Sequence, residues 1–74
     1  MVCIDTEALA AGIRAERARA DMTQDELAER LGTTKTTVSL WESARQVPGG
    51  DKVYAIAVAL GCTPNDLFGW RDAR

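Results

Sequence analysis

Seventy-four residues make one small domain, close to the lower limit at which a hydrophobic core sustains itself. The 46% hydrophobic fraction is carried mainly by Ala, Leu, Val and Ile, with 5% aromatic residues. That balance suits an all-α domain and lacks the alternating β-branched and aromatic runs of a sheet protein. Nine basic against eleven acidic residues give a net charge of −2 and a pI near 4.9, which excludes a uniformly basic surface but not a local positive face.

No run approaches the roughly 18 consecutive apolar residues of a membrane span. The start, MVCIDTEALAAG, has no basic segment and carries Asp5 and Glu7 early, so it is not a secretion signal and a cytoplasmic location is expected. Cys3 and Cys62 lie far apart and form no CxxC pair, and the chain has no histidine, so neither a zinc site nor any other metal or cofactor is expected. Cys62 reads as a small core residue and Cys3 as a terminal one.

Taken in chain order, the apolar periodicity predicts five helices in a single domain spanning 1–74, with a core of about 6–68 and short tails. The first covers Thr6 to Ala20, with Thr6 as cap, Leu9, Ile13 and Ala20 on its inner stripe, and Arg14 and Arg19 outside. Asp21 closes it, since Asp visits left-handed geometry more readily than most residues. The second begins with the capping box Thr23 and Glu26, buries Leu27, Ala28 and Leu31, and ends at Gly32. The third runs from Lys35 to Glu42 behind Thr34. Its Val38 and Trp41, three apart, face inward, and because Thr36 and Thr37 are poor helix formers, packing must hold it. The fourth spans Asp51 to Leu60, with Val53, Ile56, Ala57 and Leu60 on one face and Gly61 as its stop. Thr63, Pro64 and Asp66 then start a short fifth helix whose Leu67 and Phe68 cover the core.

The stretch TQDELAERLGTTKTTVSLWE carries the functional signal. Small Ala28 lets the second and third helices cross closely, Gly32 makes the turn, and Val38 and Trp41 anchor the third helix. Lys35, Thr36, Ser39 and Leu40 are thereby left projecting outward. A helix exposed in this way fits a DNA major groove. Gln24 and Thr34, at two helix starts, are placed to grip phosphate. Between Thr33 and Gly50 the charged residues are Lys35, Glu42 and Arg45, a local +1, while Asp21, Asp25, Glu26 and Glu29 gather around the supporting helix.

With IRAER, TQDELAERLGTT, TVSLWE and ALGCTPNDLF in this order, the chain resembles the phage-repressor and Cro-like helix-turn-helix family, also called the xenobiotic-response-element family, over about Leu9 to Phe68. The resemblance implies a five-helix lambda-repressor-like DNA-binding domain with its helix-turn-helix at helices two and three. It implies a regulator of transcription that binds double-stranded DNA as a homodimer on an inverted repeat. By position, Lys35, Thr36 and Ser39 would face base edges, with Leu40 beside them; Gln24, Thr34, Thr37, Ser43 and Arg45 would meet the backbone, and Gln24 would also brace the first reading residue. Arg17 and Glu42 match positions that form a buried structural ion pair in some relatives. Three residues depart from the pattern: Leu40, at a position often polar or basic; Ala44, in place of a frequent Gly; and Glu16, where a small apolar or basic residue is common.

Trp41 reads as core, not as a stacking platform. Phe68 and Trp70, in the apolar end FGW, read either as a subunit contact or as cover for their own core. Lys35 and Ser39 have the spacing of a serine–lysine dyad, but an exposed lysine is no base, so no enzyme is expected. The sequence thus predicts a repressor acting as a homodimer, with no small-molecule ligand and no membrane partner. The alternative is an antirepressor- or antitoxin-like interaction module that keeps the fold with little DNA binding. With six residues after Phe68, no sensing or self-cleaving domain is expected to follow.

Overall fold

The computed structural model describes residues 6–68, which form five α-helices and, among the described residues, no strand. These are α1 (Thr6–Arg19), α2 (Gln24–Leu31), α3 (Lys35–Glu42), α4 (Gly50–Leu60) and α5 (Pro64–Phe68). None of them is long and apolar enough to cross a membrane.

Local chemistry places most boundaries. Thr23 Oγ1 accepts from Glu26 N at 3.1 Å while Glu26 Oε1 accepts from Thr23 N at 2.8 Å, so α2 starts on a complete capping box. Thr63 and Asp66 make the same reciprocal pair at 3.2 and 3.1 Å at the start of α5. Gly32 and Gly61 close α2 and α4 at φ +68° and +73°, and Asp21 holds φ +57° after α1. The expected left-handed turn at Asp21 is therefore present.

The core is one cluster in which Leu9 and Ile13 of α1 meet Leu27 and Ala28 of α2, Val38 and Trp41 of α3, Val53, Ile56, Ala57 and Leu60 of α4, and Leu67 of α5. Burying such side chains is the main stabilising contribution, about 1.5–3 kcal/mol for each large one. Two expectations need correction. Ala20 is exposed: α1 ends at Arg19, and the inner position one turn after Ile13 is taken by Glu16, which is 3% exposed. Leu31 is only half-buried, because the last turn of α2 lies at the rim of the cluster.

Glu16 resides at this inner position because Arg19 covers it. Its Oε1 accepts from Arg19 Nε at 3.0 Å and Nη2 at 2.5 Å, and this pairing holds the Arg19 guanidinium above its usual range. Gly12 has a different reason to be in α1. A Cβ there would lie 1.7 Å from the carbonyl oxygen of Leu67, so the backbones of α1 and α5 touch at a point only glycine allows.

Candidate nucleic-acid interface

The helix-turn-helix pair, α2 and α3, carries the site. Thr34, extended at φ −110°, caps α3: its Oγ1 accepts from Thr37 N at 3.2 Å and shares a hydrogen bond with Thr37 Oγ1 at 3.1 Å. Val38 and Trp41 then turn the inner face of α3 into the core at 0% and 3% exposure. Lys35, Thr36 and Ser39 lie on the opposite face, and all three are exposed. Leu40 and Thr37 are half-buried. The helix thus presents a row of small polar groups and one cation to solvent, near the end where its dipole is positive.

The loop after α3 is tightly made. Ala44 adopts φ +63°, and the carbonyl of Leu40 accepts from Arg45 N at 3.0 Å, Gln46 N at 3.2 Å and Ser43 Oγ at 3.2 Å. Ser43 and Arg45 are exposed on this loop, so the chain brings both beside the end of α3, as the sequence places them.

Glu42 joins three helices at the far end of α3. It is 4% exposed and accepts from Arg17 Nε at 2.6 Å through Oε2 and from Arg17 Nη2 at 3.1 Å through Oε1. The pair raises the Arg17 guanidinium pKa above its usual value, chiefly through that hydrogen bond. Arg17 Nη1 also donates to the Met22 carbonyl at 2.8 Å, tying the α1–α2 turn to the same group. The buried ion pair implied by the resemblance is therefore present.

Two partners of Glu42 went unforeseen. Arg14 donates to its carbonyl, and Gln24 Nε2 donates to its Oε1 at 2.9 Å. Gln24 is half-buried, so the side chain that the sequence assigns to a phosphate has its nitrogen engaged within the protein. Neither bond has a local signature, since each spans helices distant in sequence. Of the residues named as a subunit contact, Phe68 packs partly against its own core and Trp70 lies outside the described residues. Val47, Tyr54 and Val58 are exposed apolar side chains that the sequence reading did not single out. Among the described residues no group of carboxylates, cysteines or histidines is arranged to hold a metal ion.

Comparison with known proteins agrees with this geometry. A helix-turn-helix family model matches residues 13–67. The repressor protein C2 of Salmonella phage P22 is 30% identical over 65 residues, which are 88% of this chain but 30% of that protein. The chain thus spans less than a third of that relative's length. An HTH-type transcriptional regulator of Methanothermobacter thermautotrophicus is 43% identical over 49 residues, 66% of this chain and 71% of its own. Among solved structures, the P22 c2 repressor in complex with a synthetic operator superposes with a TM-score of 0.74 at 30% identity, covering 80% of this chain and 89% of that one. The clp gene regulator ClgR of C. glutamicum gives a TM-score of 0.82 at 26% identity, covering 100% of both chains. A five-helix domain with this helix-turn-helix, matched over more than half its length, belongs to the phage-repressor and Cro-like helix-turn-helix family of DNA-binding transcription regulators.

Proposed function

We propose that this chain binds double-stranded DNA sequence-specifically and represses transcription as a homodimer on an inverted-repeat operator. The observation that carries the reading is the two-faced character of α3: Val38 and Trp41 are sealed in the core, while Lys35, Thr36 and Ser39 are exposed together. Lys35 donates to guanine O6 and N7, Thr36 and Ser39 reach base edges directly or through water, and Leu40 meets a thymine methyl at the edge of the groove. Thr34, Thr37, Ser43 and Arg45 flank them and meet phosphates. In a dimer the two copies of α3 enter successive major grooves about 34 Å apart, which requires an operator with two-fold symmetry. The P22 c2 repressor, solved with a synthetic operator, supports the reading by its similarity.

A second reading, a protein-interaction module of antirepressor or antitoxin type, draws on the acidic side chains Asp25, Glu26 and Glu29, all exposed along α2. Selection of bound duplexes from a random pool, followed by a mobility shift, separates the two. The first yields an enriched inverted repeat and a complex holding two chains per duplex. Recovery of no enriched sequence refutes it and leaves the second.

A further inference from the structure

From Val53 to Leu60, the only polar side-chain group on α4 is the hydroxyl of Tyr54. A helix apolar on every side belongs where it is covered all round. Only Val53, Ile56, Ala57 and Leu60 are sealed in the core, however, and Tyr54 and Val58 stand 65% and 61% exposed. Single exposed apolar side chains are ordinary on a protein surface. These two are not single. Beside them lies an open cleft of ≈500 Å³ lined by Arg30, Leu31, Tyr54, Ala55, Val58 and Ala59.

The face has two parts, and they match each other. Tyr54 is a large ring that projects from the helix. Ala55 and Ala59, one turn apart, end at Cβ and leave the hollow that Val58 and Leu31 of α2 border. A projection and a hollow on one surface are what a two-fold contact requires, because each copy must offer what it receives. A foreign partner needs only one of the two. Arg30, exposed at the rim, brings a guanidinium to the face of an incoming ring, a favourable cation–π contact.

We propose that a second copy of this chain covers the outer face of α4, with Tyr54 of each copy seated over Ala55 and Ala59 of the other. The contact deepens the homodimer reading above and rests on it. It moves the subunit contact away from Phe68 and Trp70, where the sequence placed it. Its extent is modest. A standard interface takes about 20–30 residues and about 800 Å² from each partner, whereas this face offers its lining residues and their rim. The pair is therefore weak and concentration-dependent, with Tyr54 as its anchor.

Sedimentation of the full chain over a wide range of concentration tests this. Wild type is expected to pass from monomer to dimer. Tyr54→Ala removes the projection and Ala55→Leu fills the hollow, and each alone is expected to raise the dissociation constant roughly tenfold or more. Mixed in equal amounts, the two variants are expected to associate more tightly than either does alone, because the intact Tyr54 of one meets the open hollow of the other. Should Ala55→Leu not fold, Val58→Lys, at an exposed position, carries the comparison of single variants. Variants that dimerise as wild type does, or a mixture no tighter than its components, overturn the proposal and leave the homodimer reading standing. A wild type that stays monomeric at every concentration also overturns it, and gives the face to another protein or to residues 69–74. One chain per duplex in the mobility shift sinks the homodimer reading itself, a failure that no variant is needed to see.

Discussion

Ala44, at φ +63°, occupies a conformation that costs an L-residue about 1–2 kcal/mol, and it does so where the family often has glycine. The loop tolerates it because Arg45 N, Gln46 N and Ser43 Oγ all converge on the Leu40 carbonyl, which fixes the turn. Ala44→Gly is therefore expected to raise stability by about 0.5–1 kcal/mol, the relief of strain outweighing the added freedom of the unfolded chain. A higher urea midpoint with unchanged slope is the expected result, and a lower one contradicts the strain. At the same scale, the proposed function gives Lys35 a base and Arg45 a phosphate. Lys35→Ala is expected to relax preference at one base pair, a loss of about 1–3 kcal/mol of discrimination, whereas Arg45→Ala weakens all duplexes alike. Titration of matched and mismatched duplexes reads both, and an unaltered preference in Lys35→Ala would place α3 in the wrong register.

At the scale of elements, α1 and α5 show how a local rule and a tertiary contact can oppose each other. Helix propensity alone favours Ala over Gly at position 12 by about 1 kcal/mol. The Leu67 carbonyl oxygen, 1.7 Å from where that Cβ would lie, reverses the sign. Gly12→Ala must push α5 away from α1, uncovering Leu67, which is 0% exposed. An expected net loss of about 2–3 kcal/mol follows from overpacking of this kind. Equilibrium unfolding in urea measures it, and a stabilised variant would refute so close an approach of the two helices. Caps behave more simply. The boxes at Thr23 and Thr63 are visible in sequence because donor and acceptor lie three residues apart.

Across the whole molecule, Glu42 is where α1, α2 and α3 are tied together. Arg17→Ala leaves a carboxylate at 4% exposure without its cation, and is expected to cost about 3 kcal/mol, a large share of the 5–15 kcal/mol typical of a folded domain. Thermal unfolding checks this: a melting temperature within a degree or two of wild type would show the pair to be dispensable. Charge is unevenly distributed over the same scale. Lys35 and Arg45 are the only cations between Thr33 and Gly50, while Asp25, Glu26 and Glu29 line the neighbouring helix. Few counterions are then released on binding, and log K is expected to fall with log salt at a slope of about −1 to −2 per subunit. A far steeper slope between low and moderate salt would contradict the few phosphate contacts proposed for this chain.

Much was legible in the residues alone because its causes are local. Capping boxes, left-handed turns at Asp21, Gly32 and Gly61, and the three-residue spacing of Val38 and Trp41 all act within a turn or two of chain, and they suffice to place α3 with one face in and one face out. Ala20 and Leu31 misled because periodicity gives the direction of a side chain but not where a helix ends or how far its neighbour extends. The burial of Glu16, the requirement for glycine at position 12 and the approach of Arg14 and Gln24 to Glu42 were decided by tertiary structure. The Glu42 partners come from 18 to 28 residues away, and such approaches exist only once the helices have packed.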